Sequence, residues 1–120
     1  MKSVLVVILL SLLFCVACSP IEQDARNTAA ALQGTLVAAQ AKYQTSCSAS
    51  PTQSVCVTIN KGVAGENVLI TALETYCGWS TVSPPTDPNA KCVPVASAQA
   101  GLQAAISNAT TLTLEVKGLI

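Results

Sequence analysis

The sequence predicts an all-α fold, a small antiparallel three-helix bundle stapled by two disulfides and preceded by an N-terminal signal peptide. Three observations carry that expectation. Apolar residues recur at spacings of three and four in three separate runs. Four cysteines flank the two connections between the runs, and a proline-rich stretch forbids helix across the second connection. A chain of 120 residues without internal repeats has room for one domain and one modest core. Hydrophobic residues make up 51% and charged residues 10%, well under the usual share of about 25%, so the surface must be built mainly from Ala, Thr, Ser and Gln.

The first helix is expected over Ile21 to Thr45. Ile21, Ala25, Ala29, Leu32, Leu36, Ala39 and Tyr43 fall on one face, with Glu22, Arg26, Gln33 and Gln40 elsewhere. So many alanines on the stripe suggest close approach of a neighbouring helix. The second helix is expected over Ser54 to Cys77, with Ile59, Val63, Ile70, Leu73 and Cys77 as its stripe and Glu66 in the gap. Gly62 and Gly65 each cost about 1 kcal/mol relative to Ala, which leaves open whether the helix kinks or breaks near them or runs on through both. Its Val- and Thr-rich start could pair as a strand, but the chain offers no obvious partner strand. The third run starts near Pro94 and repeats Ala98, Leu102, Ala105, Ala109, Leu112 and Val116, ending at Gly118 with Lys117 in the last turn. Between these runs lie a short turn-forming linker, "SCSASPTQ", and a longer one, "GWSTVSPPTDPNAKC", stiffened by Pro84, Pro85 and Pro88. None of the helices can bury its stripe alone, so an up-down-up bundle follows.

The opening residues, "MKSVLVVILLSLLFCVA", place Lys2 before an apolar run and then small residues, the layout of a secretory signal. Val4 to Val16 is shorter than the roughly 20 residues needed to span a bilayer core. The stretch "Cys15-Val16-Ala17-Cys18" resembles the lipobox of bacterial lipoproteins, in which a small residue precedes an obligatory cysteine, although the position three before it is usually Leu and here is Cys15. That resemblance implies removal of residues 1–17, a diacylglycerol on the Cys18 sulfur, frequent acylation of the new amino group by a fatty acid such as palmitate, and a lipidated N-terminus at 18–20 ahead of a domain at 21–120. Ser19 rather than Asp after the cysteine implies outer-membrane sorting in a cell with two membranes, and otherwise the cell membrane. Other uses of these cysteines are a C-x-x-C redox pair, cleavage at a small-x-small site to release a soluble chain, and an uncleaved anchor.

Cysteine parity favours the lipid. Of six cysteines, loss of Cys15 leaves five, and only consumption of Cys18 leaves an even set of four. Cys56 and Cys77 are about 30 Å apart on an unbroken helix, whereas bridged α-carbons lie within about 7 Å. The expected pairs are therefore Cys47–Cys56 and Cys77–Cys92. With no histidine, and no close C-x-x-C knuckle among these four, a zinc site is not expected.

The same lack of histidine removes the commonest general base. Glu66 and Glu74 would stand about 12 Å apart along the second helix, too far for a retaining carboxylate pair, and no phosphate-cradling glycine loop is present. Neither an enzyme nor a cofactor is expected. Six basic and six acidic residues cancel without a Lys/Arg cluster, so nucleic acid is not an expected partner. The expected partners are the bilayer, through Cys18, and a second copy or an envelope protein. Glu66 is either a rim position or a buried group paired with Lys61 or Lys42. Tyr43 and Tyr76 are expected at opposite ends of the core. Trp79 is the candidate partner contact, or else a plug under the long linker. A cavity lined by Ala and Val in the bundle interior, carrying an apolar small molecule or lipid, is the alternative function.

Overall fold

A computed structural model describes residues 20–79 and 92–120. Helix α1 runs Pro20–Ala49, α2 runs Ser54–Tyr76, and α3 runs Gln99–Lys117 after a single 3₁₀ turn at Ala96–Ala98. Each α-helix packs against both of the others, and no strand occurs among the described residues. Lys42 and Tyr43 near the end of α1 meet Leu119 after α3, while Arg26 near its start meets Trp79 after α2. The order is therefore up, down, up.

Local chemistry explains the helix limits. Pro20 opens α1, where its fixed φ suits the first turn and its missing N–H would have had no intrahelical partner. Glu22 in that turn favours the positive end of the dipole and pairs with Arg26 at 2.9 Å. At the other end of α2, the Gly78 N–H donates to the Thr75 carbonyl and the Trp79 N–H to the Glu74 carbonyl, the two bonds of a Schellman motif. That motif needs a left-handed residue, and Gly78 supplies it at φ 70°. Helical threonines spend their hydroxyls on the carbonyl four residues back: Thr35 on Ala31, Thr58 on Ser54, Thr75 on Thr71 and Thr113 on Ala109.

The core follows the expected stripes on α1 and α3. Ala25, Leu32, Leu36 and Ala39 are buried on α1, flanked by half-buried Ile21, Ala29 and Tyr43. Leu102, Ala105, Ala109, Leu112 and Val116 are buried on α3. No polar or charged side chain is buried among the described residues.

On α2 the expectation needs correcting. The helix is unbroken through Gly62 and Gly65, and both glycines are buried. Leu69 and Tyr76 join Ile59 and Leu73 inside, whereas Ile70 is exposed and Val63 only half-buried. The helix is turned toward its glycines because its neighbours press into them. A Cβ on Gly62 would stand 2.7 Å from Leu36 Cδ2 and 3.1 Å from Val116 Cγ2, and one on Gly65 would collide with Leu112 Cδ1. What reads as a propensity cost is a pair of notches that admit α1 and α3.

The first linker is also shorter than expected. α1 continues through Ser46, Cys47 and Ser48 to Ala49, leaving Ser50 to Gln53 as the turn. Pro84, Pro85 and Pro88 lie outside the described residues, as do residues 1–19 with Cys15 and Cys18.

Candidate functional site

Two places gather the chemistry of the molecule, one at each end of the bundle. At the end where α1 begins, Cys77 caps α2 and is bridged to Cys92, with α-carbons 4.3 Å apart. The chain after Cys92 then lies against the end of α2: the Val93 N–H donates to the Cys77 carbonyl at 3.0 Å and the Val95 N–H to the Tyr76 carbonyl at 2.7 Å. These bonds occupy carbonyls that a helix end otherwise leaves without partners. Trp79 is half-buried against the core, and the Arg26 guanidinium sits 5.2 Å from its ring centroid. Arg26 thereby holds Glu22 and Trp79 together, a cation–π contact and an ion pair through one side chain. Trp79 is part of the cover over this end, half-buried against the core.

The Glu22 carboxylate lies within 4.8 Å of both the Cys77 and Cys92 sulfurs. Those sulfurs are bonded to each other, and a disulfide lacks the thiolate that binds metal.

At the opposite end, Cys47 in the last turns of α1 is bridged to Cys56 in the first turn of α2, with α-carbons 5.6 Å apart. Beside this bridge an open depression of about 320 Å³ is lined by Gln40, Tyr43, Gln44, Cys47, Pro51, Cys56, Ile59 and Asn60. Its floor is apolar, formed by Tyr43, Ile59 and the bridge, while Gln40, Gln44 and Asn60 are exposed amides. All lining residues come from α1, α2 and the turn between them. α3 contributes none, because it has already ended: its last turn stands opposite Tyr43, whose hydroxyl donates to the Leu119 carbonyl at 2.6 Å. Lys42 adds bonds to the Leu119 and Ile120 carbonyls. α1 and α2 continue past that point as a pair and leave one side open.

The structure places Cys47 beside Cys56 and Cys77 beside Cys92, the two pairs that helix length points to. Tyr43 and Tyr76 sit at opposite ends, Tyr76 buried and Tyr43 half-buried. Glu66 is half-buried and takes neither of its considered partners: Lys61 faces Glu115 at 4.0 Å, and Lys42 faces the carbonyls after α3. The depression has no counterpart in the sequence pattern, because it depends on where α1 stops relative to α3. Ser46, Cys47 and Ser48 read as linker, but helix continues through them and carries Cys47 to its bridge with Cys56.

No family model matches the chain, nor does any curated protein or solved structure.

Proposed function

We propose that the chain is a small exported lipoprotein, held to a bilayer through acylated Cys18, whose helical domain serves a bacterial envelope as a binding or structural module and not as an enzyme. The observation that carries this is the use of the cysteines. All four in the described domain are consumed in bridges, which suit an oxidising compartment. The domain therefore offers Cys18 no thiol to pair with, and α1 opens at Pro20, two residues after it. An acyl thioether uses that cysteine and accounts for the apolar run before it. More than one acyl chain on Cys18 makes the anchorage stable where a single chain would be marginal. The membrane is the outer one in a cell that has two, following Ser19, and otherwise the cell membrane.

In this arrangement the depression beside Cys47 and Cys56 faces away from the anchored end and is the surface offered to a partner, an envelope protein or a second copy. An apolar floor rimmed by amides suits a partner side chain that brings its own hydrogen-bonding groups.

The intact mass of the membrane-extracted protein under non-reducing conditions tests the proposal. The expected mass is that of residues 18–120 plus acyl groups, less the hydrogens lost in two bridges, and Cys18→Ala is expected to abolish the acyl mass and release the chain from membranes. A mass matching an unmodified chain, or one retaining residues 1–17, sinks it.

One observation favours a second reading, carriage of an apolar small molecule or lipid. The depression reaches the lower edge of the range of about 300 to 1,000 Å³ typical of small-molecule sites. The carrier site would then be at the end of the bundle, since fully buried Leu32, Leu69 and Leu102 pack its interior. Native mass spectrometry distinguishes the two: a bound apolar molecule that Ile59→Gln displaces supports carriage.

A further inference from the structure

We propose that the end of the bundle carrying Trp79 and Val93 rests in the interfacial layer of the bilayer, so that the domain is docked on lipid and does not swing on its anchor. The inference depends on the lipoprotein reading above and goes beyond it by naming the surface that meets the membrane.

Covalent reach is the first support. Cys18 lies two residues before Pro20, and two residues span at most about 7 Å even when fully extended. Pro20 is the first residue of α1, so an acylated Cys18 leaves no spacer between the bilayer and this end of the fold. The second support is what the end displays. Val93 is 68% exposed and Val95 36%, both in the segment bonded to the end of α2. Trp79, half-buried beside them, has the amphipathic kind of ring that favours the headgroup level. Arg26 lays a long apolar stem toward that ring while Glu22 holds its charged head.

Charge is the third support. Among the described residues at this end, Glu22 pairs with Arg26, which leaves the carboxylates of Asp24 and Glu74 and no cluster of cations. With no cluster of cations among these residues, the end does not draw anionic lipid from a distance. The contact is short-range, carried by the anchor and by apolar burial, and lipid of no net charge suffices.

The chain contains one tryptophan, so its emission reports on this end alone. The full acylated protein is reconstituted in phosphatidylcholine vesicles, with acylation read by intact mass in the same preparation. Part of the lipid carries bromines either near the glycerol or near the chain ends. We expect near-glycerol bromines to lower Trp79 emission by at least about twofold, with chain-end bromines quenching less, as an interfacial ring requires, and with little response to added salt. Val93→Glu, at an exposed position, is expected to reduce the quenching by about half and to leave thermal unfolding unchanged. Full emission from acylated protein in both brominated lipids would mean that this end stands clear of the bilayer, which overturns the docking while acylation stands. Quenching that Val93→Glu leaves intact overturns the assignment of this surface. A preparation without acyl mass overturns the lipoprotein reading, and the docking with it.

Discussion

The two ends of the bundle are closed by different means. Where α1 begins, closure is largely main-chain: a Schellman turn through Gly78, two backbone hydrogen bonds from Val93 and Val95, and a bridge that holds the strap in place. At the other end it is made by side chains, with Tyr43 and Lys42 reaching the carbonyls after α3 and a bridge joining two helices that have outrun the third. The difference teaches where such a small bundle can hold a binding surface. Its interior is filled by leucines, and the depression appears where the bundle runs short of a helix.

Removing the bridges one at a time tests that contrast most severely. Cys77→Ala/Cys92→Ala is expected to cost about 3 kcal/mol and Cys47→Ala/Cys56→Ala slightly less, because the bridged residues are separated by 15 and 9 positions. Denaturant midpoints read these losses, and hydrogen exchange reads their location. The first variant should deprotect the Val93 and Val95 amides along with Trp79, whereas the second should leave the bonds to Leu119 in place. Loss of protection spread evenly over both ends in either variant would remove the distinction.

The middle of the bundle supplies a reference. Gly65→Ala is expected to destabilise by about 1 to 3 kcal/mol, because the new methyl meets Leu112 in a packed interface. Gly34→Ala, on an open face of α1 with nothing within 4 Å, is expected to stabilise by about 0.5 to 1 kcal/mol. Chemical denaturation measures both, and a stabilising Gly65→Ala would show that the notch has slack.

A single hydroxyl tests the far end. Tyr43→Phe removes the hydroxyl bond to Leu119 and is expected to cost about 1 kcal/mol. Trp79 emission should not change, since it reports from the opposite end. A shift in that emission would mean that the two ends communicate through the bundle.

Much of this architecture is legible from residues alone. The stripes of α1 and α3 are periodic, and each places its own leucines and alanines inside. Helix length then selects the disulfide pairing, because Cys56 and Cys77 sit at opposite ends of α2. What escapes the sequence is the inward side of α2. Val63 and Ile70 look like core by hydropathy, and Gly62 and Gly65 look like breaks. The value of a glycine at an interface belongs to the side chain that enters it, and Leu36, Leu112 and Val116 lie far away along the chain. The candidate depression was hidden for a related reason. It is a difference between helix lengths, and the last turn of α1 runs through Ser46 to Ser48, residues that read as linker.

The paired notches on α2 act as a mechanical detent. Gly62 receives Val116 and Gly65 receives Leu112, on two helices that run in opposite directions. Sliding α3 by one helical turn, about 5.4 Å, would bring Leu112 toward Leu69 in one sense, or Val116 toward Ile59 in the other. Only the observed alignment sets both side chains over positions without a Cβ. Bundles often select their alignment with a buried polar group, accepting a loss of stability for it. With no charged or amide side chain buried in its described interior, this one selects by shape, through two side chains that are missing.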